Sequence, residues 1–324
     1  MNARHNPVDP AHVSIAKSRL DAKLSRELGD VVLAALGDPA VVEIMLNPDG
    51  KLWEDRAGVG MAQIGEMTAS RAENLIGTIA SALGLNATAE NPIIEGELPL
   101  DGSRFEGVLP PIVERPIFAI RKKALFVYTL SDYVRDEIMT QEQADTLLWH
   151  VRQRHNILVA GATGSGKTTL CNAILHCIAE EDPNTRIAII EDTRELQCPV
   201  VNKFPMRTSE KKDMIQLLRA TLRLRPDRIA VGEVRDGAAL ALLKSWNTGH
   251  SGGVATVHAN SAQAALTRVE QLVQEAGVTA IPAVIAEAVN CIVSIQKPEA
   301  GKRRVEQICT VKGAGPGGYD LSFS

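Results

Sequence analysis

The chain has 324 residues, 45% hydrophobic and 23% charged, which is more than one hydrophobic core usually serves, so two domains are expected. Its 35 Lys and Arg against 39 Asp and Glu give a net charge of -4, which excludes a global pull toward nucleic acid or anionic lipid. Five cysteines, Cys171, Cys177, Cys198, Cys291 and Cys309, include no C-x-x-C pair and signal neither a zinc site nor a full disulfide framework, so they read as core thiols of a reducing compartment.

The N-terminal stretch is polar and proline-containing, and no apolar run reaches the length of a membrane span, so a cytoplasmic location is expected. Apolar positions at Val13, Ile15, Ala16 and Leu20 among many charges predict a helix within residues 1 to about 27. Val41 to Met45, then Asn47-Pro48-Asp49-Gly50, then Lys51 to Asp55 reads as strand, turn, strand, because Pro-Asp-Gly supplies turn geometry between β-prone runs. Ser70 with Glu73 forms a capping-box signature before a helix whose apolar face carries Leu75, Ile76, Ile79 and Leu83 and which ends at Gly84. From Leu98 to Lys123 short β-like pieces follow, with Asp101-Gly102 as a turn and Ile117 to Arg121 as a strand. The first 130 residues therefore predict an α+β domain.

Residues 131–139 read as a linker and 129–136 as a hinge, after which Thr140 and Gln143 cap a helix with Ala144, Leu147, Leu148 and Val151 on one face. In residues 140–324, apolar runs at 156–160, 187–191, 229–232, 254–257 and 292–295 alternate with helical patterns and predict a mostly parallel sheet wrapped by helices. The glycine-rich segment Gly313 to Gly318 reads as a mobile tail.

The second domain opens on a P-loop. Ile157 to Ala160 suit a buried strand; Gly161, Ala162, Thr163, Gly164, Ser165, Gly166, Lys167 and Thr168 fit the template at every fixed position, and Thr169 lies just beyond it. Leu170, Ala173, Ile174, Cys177 and Ile178 then recur at helical spacing. Glycines let successive backbone N–H groups turn inward on an anion at a helix N-terminus, Lys167 would meet the β- and γ-phosphates of ATP, and the Thr168 hydroxyl would meet Mg²⁺. Two acids, Glu191 and Asp192, end one later strand, Glu233 ends another, and His250 and His258 flank a third.

Together these segments resemble the secretion or traffic ATPase superfamily of type IV secretion, type II secretion and type IV pili. The resemblance rests on the P-loop, the acidic run Glu191-Asp192-Thr193-Arg194-Glu195-Leu196, the arginine-rich Leu222 to Arg228, Gly232-Glu233-Val234-Arg235, and Thr248-Gly249-His250 to Thr256-Val257-His258, all in order. It lacks the four-cysteine zinc module common in the type II branch.

The resemblance implies a RecA-like P-loop ATPase domain after a smaller α+β domain, a homo-hexameric ring, and a motor that meets inner-membrane components of a secretion or conjugation channel, with peripheral association at the inner face of the inner membrane. It implies that Glu233 orients the attacking water, that Glu191 or Asp192 holds the metal's water shell where Gly232 replaces the usual aspartate, that His250 and His258 sense the γ-phosphate or link elements, and that Arg104 and Arg121 lean over the phosphates. In the ring the resemblance implies, Arg219 and Arg223, spaced i and i+4, are the alternative arginines, expected to face a neighbouring subunit, with solvated charge as the competing reading of both pairs. A helicase or nucleic-acid translocase is the competing reading; the acidic balance and 3% aromatic content disfavour it, and no sequence-specific nucleic-acid binding is expected. A nucleotide-dependent assembly scaffold is the third.

Overall fold

The computed structural model describes residues 10–123, 127–209, 211–298 and 303–323. The chain is an α/β protein that divides into two compact units, 1–125 and 126–324. The start of the helix expected from residue 1 lies outside the described residues.

The first unit runs α1 (Pro10–Gly37), β1 (Val41–Leu46), β2 (Lys51–Arg56), β3 (Gly60–Glu66), α2 (Ala69–Ala82), β4 (Ile93–Glu97), β5 (Arg104–Val108) and β6 (Ile117–Arg121). Its strands form one antiparallel sheet in the order β3-β2-β1-β6-β5-β4. The expected hairpin is β1–β2. Helix α1 extends ten residues past the expected end and breaks its helical backbone at Gly29. Arg71 fills the break by donating to the carbonyls of Glu27 (2.7 Å) and Arg26 (2.8 Å). Leu24, Leu28 and Val32 of α1 and Leu75, Ile76 and Ile79 of α2 bury one stripe each against Ile44, Phe105 and Ile120 of the sheet. The Ser70–Glu73 capping box does not form: α2 starts at Ala69 with Thr68 as N-cap, so Ser70 is already inside the helix.

The second unit runs α3 (Leu130–Arg135), α4 (Gln141–Arg152), β7 (Ile157–Ala160), α5 (Lys167–Glu181), β8 (Ile187–Glu191), β9 (Lys203–Arg207), α6 (Met214–Thr221), β10 (Arg228–Val231), α7 (Ala238–Asn247), β11 (Val254–Val257), α8 (Ala262–Glu275), α9 (Pro282–Ala288), β12 (Cys291–Gln296), β13 (Arg304–Gly315) and β14 (Gly318–Phe323). The sheet order is β14-β13-β12-β7-β11-β10-β8-β9. From β12 to β9 all neighbours are parallel; β13 and β14 add an antiparallel hairpin at one edge. Central strands covered on both faces read as near-continuous apolar runs, and β7 is wholly apolar and buried. Ile157 and Val159 pack toward α3, α4 and α5, whereas Leu158 and Ala160 pack toward the layer built from α6 to α9.

Two expectations are corrected here. The linker placed at 131–139 is folded: Thr129 and Asp132 form a capping box on α3, and Tyr133 and Met139 are buried in the second unit's core with Leu147 and Ile174. The glycine-rich segment 313–318 is no loose tail, because Gly315 pairs with Gly318 at the β13–β14 turn and Val311 with Leu321 along the ladder. All five cysteines are free and buried. Among the described residues no helix is long and apolar enough to cross a membrane.

Candidate active site

In a parallel sheet, ligands gather at the carboxyl ends of the strands where neighbouring connections diverge. Strand β7 sits between β11 and β12, neither adjacent to it in sequence, and the loop from Gly161 to Gly166 leaves its carboxyl end. The loop is close-packed. A Cβ on Gly161 would stand 2.5 Å from the Ile295 carbonyl, so only glycine lets the chain turn there. Gly166 caps α5 in the left-handed region (φ 102°), which directs the first N–H groups of the helix into the loop. Ala162, Thr163 and Gly164 are exposed, Ser165 is buried, and Thr168 and Thr169 are half-buried at the start of α5. Loop, helix terminus and lysine fit a polyphosphate: Lys167, 8% exposed, donates to the carbonyls of Gly161 and Ala162 at 2.9 Å each and lies 3.3 Å from Nδ1 of His258.

Glu233 follows β10. The Thr256 hydroxyl donates to the Gly232 carbonyl (2.7 Å) and the Val234 amide to the Thr256 carbonyl (2.8 Å), which lashes this segment to β11 and brings Glu233 beside His258. Nε2 of His258 is 2.8 Å from Oε1 of Glu233, and Arg235 donates to Oε2. Burial pushes the Glu233 carboxyl up, but the hydrogen bond and charge of Arg235, with His258 and Lys167, outweigh it and hold the group below the usual glutamate range. Lys167, His258 and Glu233 therefore form one connected set across the ends of three elements.

The acidic run is divided differently from expectation. Glu191 is 3% exposed, and its Oε1 accepts the amides of Glu195 (2.9 Å) and Leu196 (2.7 Å). Its side chain fills the space beside Gly232, where an added Cβ would meet the Glu191 Cγ at 3.0 Å. Glu191 thus shapes the loop that delivers Glu195, and it is Glu195 whose Oε2 accepts from the Thr168 hydroxyl at 3.3 Å. Asn172 of α5 pins the same loop by accepting the Gln197 amide (2.8 Å). Asp192 accepts from the Thr208 hydroxyl (2.9 Å) and lies 4.0 Å from Arg235. Among the described residues no group of three or more His, Cys, Asp or Glu side chains forms a metal cage. The donor set of one hydroxyl and nearby carboxylates suits Mg²⁺, which keeps waters and phosphate oxygens as most of its ligands.

His250 stands apart. It precedes β11, whereas His258 follows it, so the four-residue strand separates them and His250 lies beyond the amino end of that strand, away from the P-loop, with Nδ1 3.3 Å from the Ser245 carbonyl. Of the two histidines expected to sense the γ-phosphate or link elements, His258 reaches the P-loop lysine, whereas His250 lies at the other end of β11. Arg104 and Arg121 belong to the first unit and are direct cross-strand partners on β5 and β6, flanked in register by Glu97 on β4 and Glu43 on β1. Directly opposed like charges destabilise a sheet unless something negative lies between or beside them. Sequence reasoning missed Glu195 and Arg235 as site residues, although both stood in the motifs; the signal for Arg235 is its i+2 spacing from Glu233 in extended chain, which puts both side chains on one side.

Residues 66–309 match the family described as "Type II/IV secretion system protein". The chain is 52% identical over 303 residues to the "Probable conjugal transfer protein TrbB" of Sinorhizobium fredii, covering 94% of this chain and 93% of that one. It is 33% identical over 308 residues to the "Type IV secretion system protein PtlH" of Bordetella pertussis, covering 83% and 89%. The solved ATPase DotB of Legionella pneumophila shares the fold with a TM-score of 0.61 at 17% identity, over 96% of this chain and 83% of that one.

Proposed function

The chain belongs to the type II/IV secretion system protein family, and on that premise we propose that it is the ATP-hydrolysing motor of a type IV secretion apparatus for conjugative plasmid transfer. It is an ATPase. The observation that carries the reading is the convergence of Lys167, Thr168, His258 and Glu233 at the carboxyl ends of β7, β10 and β11.

We read the second unit as a RecA-like ATPase domain, residues 140–324 of which carry the nucleotide chemistry. Phosphoryl transfer to water needs positioning and electrostatics more than covalent help. Loop amides and Lys167 would hold the phosphates, and Glu233 would orient the attacking water and take up its proton. Bound Mg²⁺ would neutralise charge on the phosphates, held by Thr168 with Glu195 beside its waters. Arg104 and Arg121 are the first unit's candidate contributors, as paired guanidiniums for the transferring phosphoryl group. Assembly as a hexameric ring, a cytoplasmic location at the inner face of the inner membrane and contact with channel components are supported by the family and by the conjugal-transfer and type IV secretion relatives.

The test pairs two variants. Lys167→Ala should lose ATP binding, hydrolysis and plasmid transfer, because the loop loses its buried cation. Glu233→Gln should keep ATP and lose hydrolysis, because shape is retained and the proton acceptor removed. Turnover at the wild-type rate in Lys167→Ala would refute the assignment.

A further inference from the structure

Glu233 has both carboxylate oxygens engaged: Oε1 by Nε2 of His258 at 2.8 Å and Oε2 by the Arg235 guanidinium. A carboxylate ion-paired in this way is a poor proton acceptor, because the neighbouring cation favours its deprotonated form. Yet Arg235 has a second seat. Strands β8 and β10 run parallel with Val231 opposite Ile190, so that register, carried two residues further, sets Asp192 beside Glu233. Arg235 reaches both carboxylates, with Nη1 already 4.0 Å from Oδ2 of Asp192. Its side chain is half exposed and therefore has room to move.

We propose that Arg235 is a positioning residue that restrains Glu233 and passes to Asp192 when Glu233 acts on water. The proposal rests on Glu233 being the residue that orients that water. Arg235 touches neither phosphate nor water in this scheme; it sets how basic and how free Glu233 is. The groups facing Glu233 are Arg235 in its own segment, His258 after β11, Lys167 at the start of α5, and the acids Glu191 and Asp192 at the end of β8. Removing Arg235 deletes the strongest of the influences that hold the Glu233 carboxyl down, so its protonation must move to higher pH.

The experiment is a mutant cycle read by turnover, by kcat/KM against pH, and by retention of a fluorescent ATP analogue. Arg235→Ala and Arg235→Gln should each raise turnover by about threefold or more and shift the acid limb of kcat/KM upward, since a freed carboxylate is a stronger base. Asp192→Asn removes the second seat, leaves Arg235 on Glu233, and should lower turnover by about threefold. In the double variant Arg235→Ala with Asp192→Asn, the second change should have no further effect. A double variant as slow as Asp192→Asn alone would mean that Asp192 serves the metal directly, and it would overturn the proposal. So would Arg235 variants that retain the analogue yet turn over at or below the wild-type rate. If both Arg235 variants fail to retain it, Asp192→Asn decides: wild-type turnover there overturns the proposal. Glu233→Gln is run beside them, because normal hydrolysis in that variant would refute the role of Glu233 itself, whereas its loss with unaccelerated Arg235 variants refutes only the restraint.

Discussion

Nε2 of His258 donates to Oε1 of Glu233 across 2.8 Å, while its Nδ1 faces the Lys167 ammonium at 3.3 Å. A ring nitrogen opposite an ammonium must accept, so the proton resides on Nε2 and the imidazole ties Lys167 of the P-loop to Glu233. His258→Ala should cut turnover by about 100-fold while changing nucleotide affinity by less than about threefold, because positioning of Glu233 is lost and the loop amides remain. Steady-state turnover and equilibrium titration with the fluorescent analogue check the split; unchanged turnover would remove His258 from the site.

The two glutamates of the acidic run should separate by phenotype. Glu195→Gln, at the Thr168 hydroxyl, should raise the Mg²⁺ concentration for half-maximal turnover by about tenfold with thermal stability unchanged. Glu191→Ala should instead lower stability by about 2 kcal/mol, because two backbone amides lose their buried acceptor. Magnesium titrations and thermal melts of both variants decide it, and the reverse pattern would restore Glu191 as the metal-side acid.

Arg104 and Arg121 oppose each other on neighbouring strands, a repulsion that Glu97 and Glu43 beside them in register offset, so the pair contributes little net to the sheet. Replacing either by alanine should leave unfolding free energy within about 0.5 kcal/mol of wild type and cut turnover by about tenfold or more. A loss of stability with full activity would make them structural.

His150 is fully buried, with Nδ1 2.8 Å from Nδ1 of His155 and Nε2 3.1 Å from the Thr310 hydroxyl. Burial, with His155 nearby, pushes its pKa down from 6.5 to about 4, and burial lowers that of His155 as well. The folded state therefore refuses a proton that the unfolded chain accepts below about pH 6.5, so stability is full above that value and falls with pH toward about 4. Between about pH 7.5 and about pH 5 His150 alone should remove about 2 kcal/mol. Denaturant melts at both values, repeated on His150→Gln, should show the slope reduced in the variant.

Much of this was legible in the chain. Strands such as Ile187–Glu191 and Val254–Val257 are apolar but for one residue each, Glu191 and Thr256, and a buried parallel strand can hardly look otherwise. Strand β9, Lys203–Arg207, was not legible: it lies at the sheet edge, alternates exposed and half-buried residues, and holds a proline, which only an edge tolerates. Helix α3 hid because six residues carry too little periodicity, and its Thr129–Asp132 capping box reads like loop polarity. In the site, the P-loop is legible from its spacing and the place of Glu233 from the apolar run before it, while the role given to Glu233 rests on the family resemblance. The exchange of roles between Glu191 and Glu195 does not, because it depends on which carboxylate the backbone of its own loop claims.

The burial of all five thiols has a practical consequence. Burial pushes Cys177 and Cys309 up to about 11 and Cys171, Cys198 and Cys291 upward as well, so little thiolate exists at neutral pH and reagents cannot reach it. A single cysteine engineered onto an exposed position is therefore the one site that alkylating dyes will modify in the folded chain. The native sequence already serves as a silent background for distance measurements between a labelled residue and a labelled nucleotide, with no need to replace core residues first.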